Sequence, residues 1–395
     1  MWFNKDEAKA GRRRHGVRTT APASLLFLLI IIMLSTVEPS EANCSFPAIF
    51  NFGDSNSDTG GFWAAFPFQR APFGMTFFHK PAGRASDGRL VIDFLAQALG
   101  LPFLSPYLQS IASNFSHGAN LATAASTVLL PNTSLFVTGI SPFSLAIQLN
   151  QMKELREKAY ELNPQDNLPA KDIFDKALYT IDIGQNDFTS KVGRTGVEEF
   201  RQMLSQVVNQ ITWTVKELYD IGGRRFLVFN LSPIGCFPAF LTLLPHKSND
   251  LDQYGCMVHY NNAVTYYNKL LRAALQQIRP ELSNATVVYV NTHAVKLKLF
   301  RRPQKHGLVY GTKACCGSGA GAYNYDPLVF CGNSKEINGM NVTATACSDP
   351  QNYVSWDGIH ATEAANKVIA SAVLRGAYFD PPFHLSQLCE LNPIG

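Results

Sequence analysis

Four apolar runs separated by long helical stretches make this an α/β chain, a three-layer α/β/α sandwich about a parallel sheet. The runs are Pro47–Gly53, Ala177–Gly184, Phe226–Leu231 and Thr286–Val290. Each is apolar almost throughout instead of alternating, as strands covered on both faces require. The helical stretches are Leu90–Leu99, Leu145–Leu162, Val197–Ile221, Leu251–Ile278 and Glu363–Leu374. Strand, long helix and strand in succession call for parallel pairing through right-handed crossovers. Gly222-Gly223 stops the third helix just before the third strand.

Composition narrows the class. Of 395 residues, 46% are apolar and 16% charged, which excludes a disordered or charge-rich scaffold. Formal net charge is +4, and Lys5, Lys9, Arg12, Arg13, Arg14 and Arg18 supply much of the excess. Beyond residue 42 the balance is only +2. That leaves no strongly basic face for a phosphate backbone, so nucleic acid is excluded as a partner.

The front of the chain reads as a leader. Basic residues precede the apolar run Leu25–Leu34, and Ser40-Glu41-Ala42 offers small residues for cleavage. Ten apolar residues are too few to span a bilayer, which takes about 20. Residues 1–42 are therefore expected to be a signal peptide and 43–395 a single secreted domain without stable membrane insertion. All eight cysteines (Cys44, Cys236, Cys256, Cys315, Cys316, Cys331, Cys347 and Cys389) follow the leader, as disulfides in an exported protein would. Sequons occur at Asn43, Asn114, Asn132, Asn230, Asn284 and Asn341. Asn114, Asn132, Asn284 and Asn341 are the expected glycan carriers. Asn230 ends an apolar strand and is expected to be buried and bare.

The chemistry starts at Ser55, in Asn51-Phe52-Gly53-Asp54-Ser55, at the end of the first strand. Reactive groups of open parallel sheets collect at the carboxyl ends of strands. A serine hydroxyl needs a base, and an imidazole needs an acceptor that holds its tautomer. Asp357-Gly358-Ile359-His360 supplies both, the glycine allowing a turn that puts the two side chains together. A simpler use of Asp357 is to cap the last helix. Oxyanion donors come from Ser116-His117-Gly118-Ala119-Asn120, through the Gly118 N–H, and from Gly184-Gln185-Asn186-Asp187, through the Asn186 amide. Asp54, Asp58 and Asp187 are expected to bond locally within their own turns.

Taken in order, these residues resemble the GDSL lipase/esterase family of SGNH hydrolases. Its marker positions fall on Ser55, Gly118, Asn186 and His360, with Asp357 as the histidine's partner. The blocks FGDSNSDTGG, GRASDGRL, HGANLATAAS, IDIGQNDF, FNLSPIGCFP and WDGIH are similar to the extracellular plant branch, over residues 46–376. Ala85 and Met75 depart from that branch and touch no marker. The resemblance implies a flavodoxin-like sheet of five parallel strands and ester hydrolysis through an acyl-enzyme. The catalytic residues are then Ser55, Asp357 and His360; Ser55, Gly118 and Asn186 form the oxyanion hole. Ser57 stands where a Gly-x-Ser-x-Gly elbow needs glycine.

Other signals carry less. Gly317-Ser318-Gly319-Ala320-Gly321 follows a Cys pair instead of a strand, so no nucleotide is expected. The remaining histidines form no metal-ligand pair, and neither metal nor cofactor is expected. The expected partner is a small-molecule or cell-wall ester; localisation is extracellular, the cell wall or apoplast in a plant. An acyltransferase would use the same acyl-enzyme, and an inert carbohydrate- or lipid-binding protein would keep the fold without the reaction. Loops 60–88, 120–142 and 301–356 are expected to shape the cleft.

Overall fold

The computed structural model describes residues 46–131, 140–162, 167–191 and 197–395. The expected leader, Asn43, Cys44 and Asn132 lie outside the described residues. Among the described residues, no helix is long and apolar enough to cross a membrane.

Five parallel strands form the centre of the sheet: β1 Ile49–Gly53, β2 Gly118–Asn120, β3 Leu178–Asp182, β4 Arg225–Phe229 and β5 Thr286–Val290. Their order is β2-β1-β3-β4-β5. The segment after residue 301 is not plain loop. It carries β6 Tyr310–Ala314 and β9 Tyr353–Ser355, paired in parallel, and a hairpin of β7 Ser334–Ile337 with β8 Met340–Thr343. A sixth strand, β10 Phe379–Asp380, joins the main sheet antiparallel to β5. Strand β2 has no apolar run to announce it, being three residues beginning with glycine.

The helices are α1 Gly61–Ala65, α2 Val91–Ala98, α3 Leu145–Glu161, α4 Gln185–Lys191, α5 Val197–Asp220, α6 Pro238–Leu243, α7 Val258–Ile278, α8 Thr292–Arg301 and α9 Glu363–Leu374. Helix α9 packs on α2 and α8, whereas α5 packs on α3 and α7. Those two sets are the outer layers. Apolar β1 residues Ile49, Phe50 and Phe52 are wholly buried between them. Helix α7 starts at Val258, later than expected. Residues 251–257 turn instead: Asp252 accepts the N–H groups of Tyr254 and Cys256, and the Cys236–Cys256 disulfide closes the turn.

This strand order reverses direction between β1 and β3, and in such sheets the crevice outside the carboxyl ends at that point is where ligands bind. Ser55 follows β1 and Asn186 follows β3, so both stand at that edge.

Candidate active site

The turn after β1 is tight because Gly53 permits it: a Cβ there would lie 2.2 Å from Ser57 Oγ and 2.6 Å from the Asp182 carbonyl. Ser55 is buried, at 6% exposure. Its Oγ lies 2.7 Å from His360 Nε2. On the other side of the ring, Nδ1 lies 2.6 Å from Asp357 Oδ2. A carboxylate only accepts, so the proton belongs on Nδ1 and the Nε2 lone pair faces the serine hydroxyl. The other oxygen, Asp357 Oδ1, accepts the N–H groups of Ile359 (3.0 Å) and His360 (2.9 Å). Asp357 therefore does not cap the last helix; Thr362 Oγ1 does, accepting from Ala365 N–H at 3.2 Å.

Charge sets the ring's basicity. Burial pulls His360 down, but the Asp357 charge, their hydrogen bond and then the Asp54 charge outweigh it, leaving the imidazole above its ordinary value. Burial opposes ionisation of Asp357 as well, yet contact with His360 holds it below the usual carboxylate range. Asp54 goes the other way: burial, then the Asp182 charge, push it up to about 7.

Asn186 lies in the first turn of α4, and its Nδ2 donates to the Ser126 carbonyl at 2.9 Å. The Ser55 turn and the α4 turn also touch through Asn56 Nδ2 and Gln185 Oε1, 3.5 Å apart.

Gly118 does not join them. It pairs with Ile49 at the amino end of β1, the opposite end from Ser55, and its N–H donates to the Phe115 carbonyl at 2.9 Å. Its φ of 100° and a would-be Cβ 1.9 Å from the Ile49 carbonyl explain the glycine by close strand approach. The residues beyond the carboxyl end of β2, 122–129, come to the site instead. Ala125 is held there at φ 62°, an uncommon conformation for a residue with a Cβ. Its N–H and that of Ser55 donate to nothing among the described residues.

The aspartates expected to bond locally explain that placement. Asp58 accepts from Gly60, Gly61 and Phe62 in its own turn, but also from Ala124 at 2.7 Å. Asp187 accepts from Val128 (2.7 Å) and Leu129 (3.0 Å). Segment 122–129 is thus suspended between two buried carboxylates, one after β1 and one after β3. Burial raises them to about 6 for Asp58 and about 7 for Asp187, even with N–H groups favouring the charge.

GRASDGRL also acquires a purpose. Ser86 Oγ donates to the Ala361 carbonyl (2.9 Å), Asp87 Oδ1 accepts from Glu363 N–H (2.8 Å), and Arg89 pairs with Glu363 (2.8 Å). These contacts grip the chain immediately after His360. Arg84 pairs with Asp93, whose carboxylate also takes the Leu90 N–H at the start of α2.

A crevice beside His360 is lined by Asn56, Asp182, Ser232, Phe237 and Lys296. Lys296 Nζ donates to Ser232 Oγ at 2.8 Å. Among the described residues, no group of three or more His, Cys, Asp or Glu is placed to hold a metal ion. Of the sequons, Asn114, Asn284 and Asn341 are exposed. Asn230 is buried, its amide donating to Tyr289 Oη and Asn291 Oδ1.

A parallel-sheet sandwich with a hydroxyl, an imidazole and a carboxylate in contact at its carboxyl edge has the make-up of a hydrolase. The sequence model of the GDSL-like lipase/acylhydrolase family matches residues 49–373, and the chain belongs to that family, as a carboxylic ester hydrolase. It is 60% identical over 370 residues to a GDSL esterase/lipase of Arabidopsis thaliana, covering 92% of this chain and 97% of that one. An esterase of Hevea brasiliensis is 43% identical, covering 93% and 94%. A relative from Arabidopsis thaliana that is 42% identical, covering 88% and 96%, carries the name alpha-L-fucosidase 3.

Proposed function

We propose that this chain is a secreted serine esterase that cleaves acyl or acetyl esters through an acyl-enzyme. Ser55 attacks the ester carbonyl while His360 takes its proton at Nε2. Asp357 keeps the ring in the Nδ1–H tautomer and stabilises the imidazolium that forms. The tetrahedral oxyanion meets the Ser55 N–H, the Asn186 amide and the Ala125 N–H, the last in the place first expected of Gly118. Two unspent backbone donors, one on Ser55 itself and one on Ala125, next to the Ser126 carbonyl that Asn186 holds, support that reading. His360 then protonates the leaving alcohol, and water repeats the sequence. Asn114, Asn284 and Asn341 are proposed glycan carriers.

The observation that carries the proposal is the 2.7 Å approach of His360 Nε2 to Ser55 Oγ. The name of the fucosidase relative marks a different bond as the competing substrate. Glycoside hydrolysis ordinarily uses two free carboxylates flanking the scissile bond, whereas Asp357 is engaged by His360. Purified enzyme is assayed on short acyl esters, an acetylated polysaccharide and an α-L-fucoside, alongside Ser55→Ala. Ester turnover that falls roughly 10⁴-fold or more in the variant, with fluorophosphonate labelling lost, is the expected result. A Ser55→Ala enzyme that keeps most of its esterase activity rejects the proposal.

A further inference from the structure

The turn that carries Asp357 and His360 is gripped from outside by a loop with two disulfides. Cys315 N–H donates to the Ser355 carbonyl (3.0 Å) and Cys316 N–H to the Trp356 carbonyl (2.6 Å), the two residues just before Asp357. Cys315 is bonded to Cys347 and Cys316 to Cys331. Inside the loop closed by Cys316–Cys331, the ring of Tyr325 packs against the turn's glycine: a Cβ at Gly358 would stand 2.5 Å from Tyr325 Cδ2. Tyr325 is 8% exposed, and burial followed by the Asp357 charge pushes its hydroxyl up to about 12. Cys315, Cys316, Cys331, Tyr353 and Trp356 form a small core separate from the main one, with Phe73 packed against it. Cys331 also lines an open groove with Trp63, Phe68 and Arg70.

We propose that the loop closed by Cys316–Cys331 is a positioning clamp for the Asp357–His360 pair, with Tyr325 its contact residue, and that opening this disulfide slows the esterase without unfolding it. The inference rests on His360 being the base. The turn braces itself through Asp357 Oδ1 and Ser355 Oγ, which accept the N–H groups of residues 358–360. Those bonds fix its internal shape but not its tilt toward Ser55. Its tilt depends on outside holds: the Ala239 N–H on the Gly358 carbonyl (3.1 Å) and the Ser86 and Asp87 bonds just after His360. From the stapled loop come the Cys315 and Cys316 N–H groups on the Ser355 and Trp356 carbonyls and the Tyr325 ring against Gly358. Opening it by a dithiol is a balanced exchange. The Sγ–Sγ bond breaks, Cys316 and Cys331 each take a proton, and the dithiol closes to its cyclic disulfide.

The test uses the full secreted chain with four changes: Cys316→Ser with Cys331→Ser, Tyr325→Ala, Tyr325→Phe, and His360→Gln. On a soluble short acyl ester, the double serine variant and Tyr325→Ala are expected to lose roughly tenfold or more in kcat with little change in KM, the cost of small misplacement of a reacting group. Their acidic pH limb moves down toward the ordinary imidazole value as the Asp357 contact loosens, and Tyr325→Phe behaves as the parent. Dithiothreitol on the parent, which can also open Cys315–Cys347 and Cys236–Cys256, gives at least that loss, and the double serine variant, which removes Cys316–Cys331 alone, assigns it to this disulfide. Folded variants with parental kcat and an unmoved pH limb overturn the clamp. If the double variant does not fold, the contrast between Tyr325→Ala and Tyr325→Phe decides. His360→Gln separates the two failures: its activity, if retained, refutes the base, whereas an inactive His360→Gln beside fully active loop variants refutes the clamp alone.

Discussion

Asp54 precedes Ser55, the proposed nucleophile, in the chain, and its charge reaches His360, the proposed base that faces it. It is buried; Oδ1 accepts from Asn56, while Oδ2 has no hydrogen-bond partner among the described residues. The proposed base therefore answers to two carboxylates, Asp357 in contact and, once ionised, Asp54 through space.

The pH profile follows from that arrangement. An imidazole acts as base only when neutral, so kcat/KM rises as pH passes through its free-enzyme pKa. Because His360 is held above its ordinary value, the acidic limb is expected above about 6.5. Asp54→Asn keeps an oxygen for Asn56 but removes the charge, and the limb moves to lower pH. A rate profile from pH 5 to 9 checks both; a limb unmoved by Asp54→Asn removes that carboxylate from the account.

Asp357→Asn is expected to lower kcat by about four orders of magnitude, since an amide at Nδ1 no longer enforces the productive tautomer. Its thermal midpoint should change far less than its rate. Parallel kinetics and melting separate the two effects.

Asn186→Ala removes one proposed oxyanion donor and is expected to cost about 10²–10³ in kcat with KM nearly constant. Should KM rise and kcat hold, the amide binds ground-state substrate instead.

Gly118→Ala and Ala125→Gly should behave in opposite ways. At Gly118 the new methyl meets the Ile49 carbonyl in a positive-φ position, so stability falls while the folded fraction keeps its specific activity. At Ala125 the left-handed conformation costs roughly 1–2 kcal/mol that glycine would not incur, partly offset by the freer unfolded chain. Urea midpoints should fall for the first and rise for the second. Inactive but stable Gly118→Ala would return that residue to the oxyanion hole.

The Arg89–Glu363 pair is nearly buried, with side chains 7% and 11% exposed, and it anchors the start of α9 behind His360. Arg89→Met strands the Glu363 charge and is expected to cost about 3–5 kcal/mol. Breaking the exposed Lys176–Asp172 pair should leave the urea midpoint unchanged.

Much was legible in the linear order. Strands β1, β3, β4 and β5 are apolar runs because both faces are covered, and α9 carries its own stop and start signals, so its bounds agree with those expected. That Ser55, Asp357 and His360 could meet was readable because the proposed chemistry would demand those residue types and the Asp-Gly-Ile-His turn is local; the structure brings the three into contact. Strand β2 and the role of Gly118 were not. Three residues carry too little periodicity, and a glycine needed for strand approach looks the same in text as one that offers its N–H.

What remained for the folded chain to settle is everything that depends on distance across the sheet. Asp58 and Asp187 look like turn residues until segment 122–129 arrives between them. Nothing local distinguishes Glu363, Arg89 or Tyr325 from ordinary helix and loop residues. Their partners lie far along the chain, and only packing brings them together. Local pattern encodes which groups can react and which runs form strands; long-range closure sets which end of each strand, and which neighbouring charge, those groups meet.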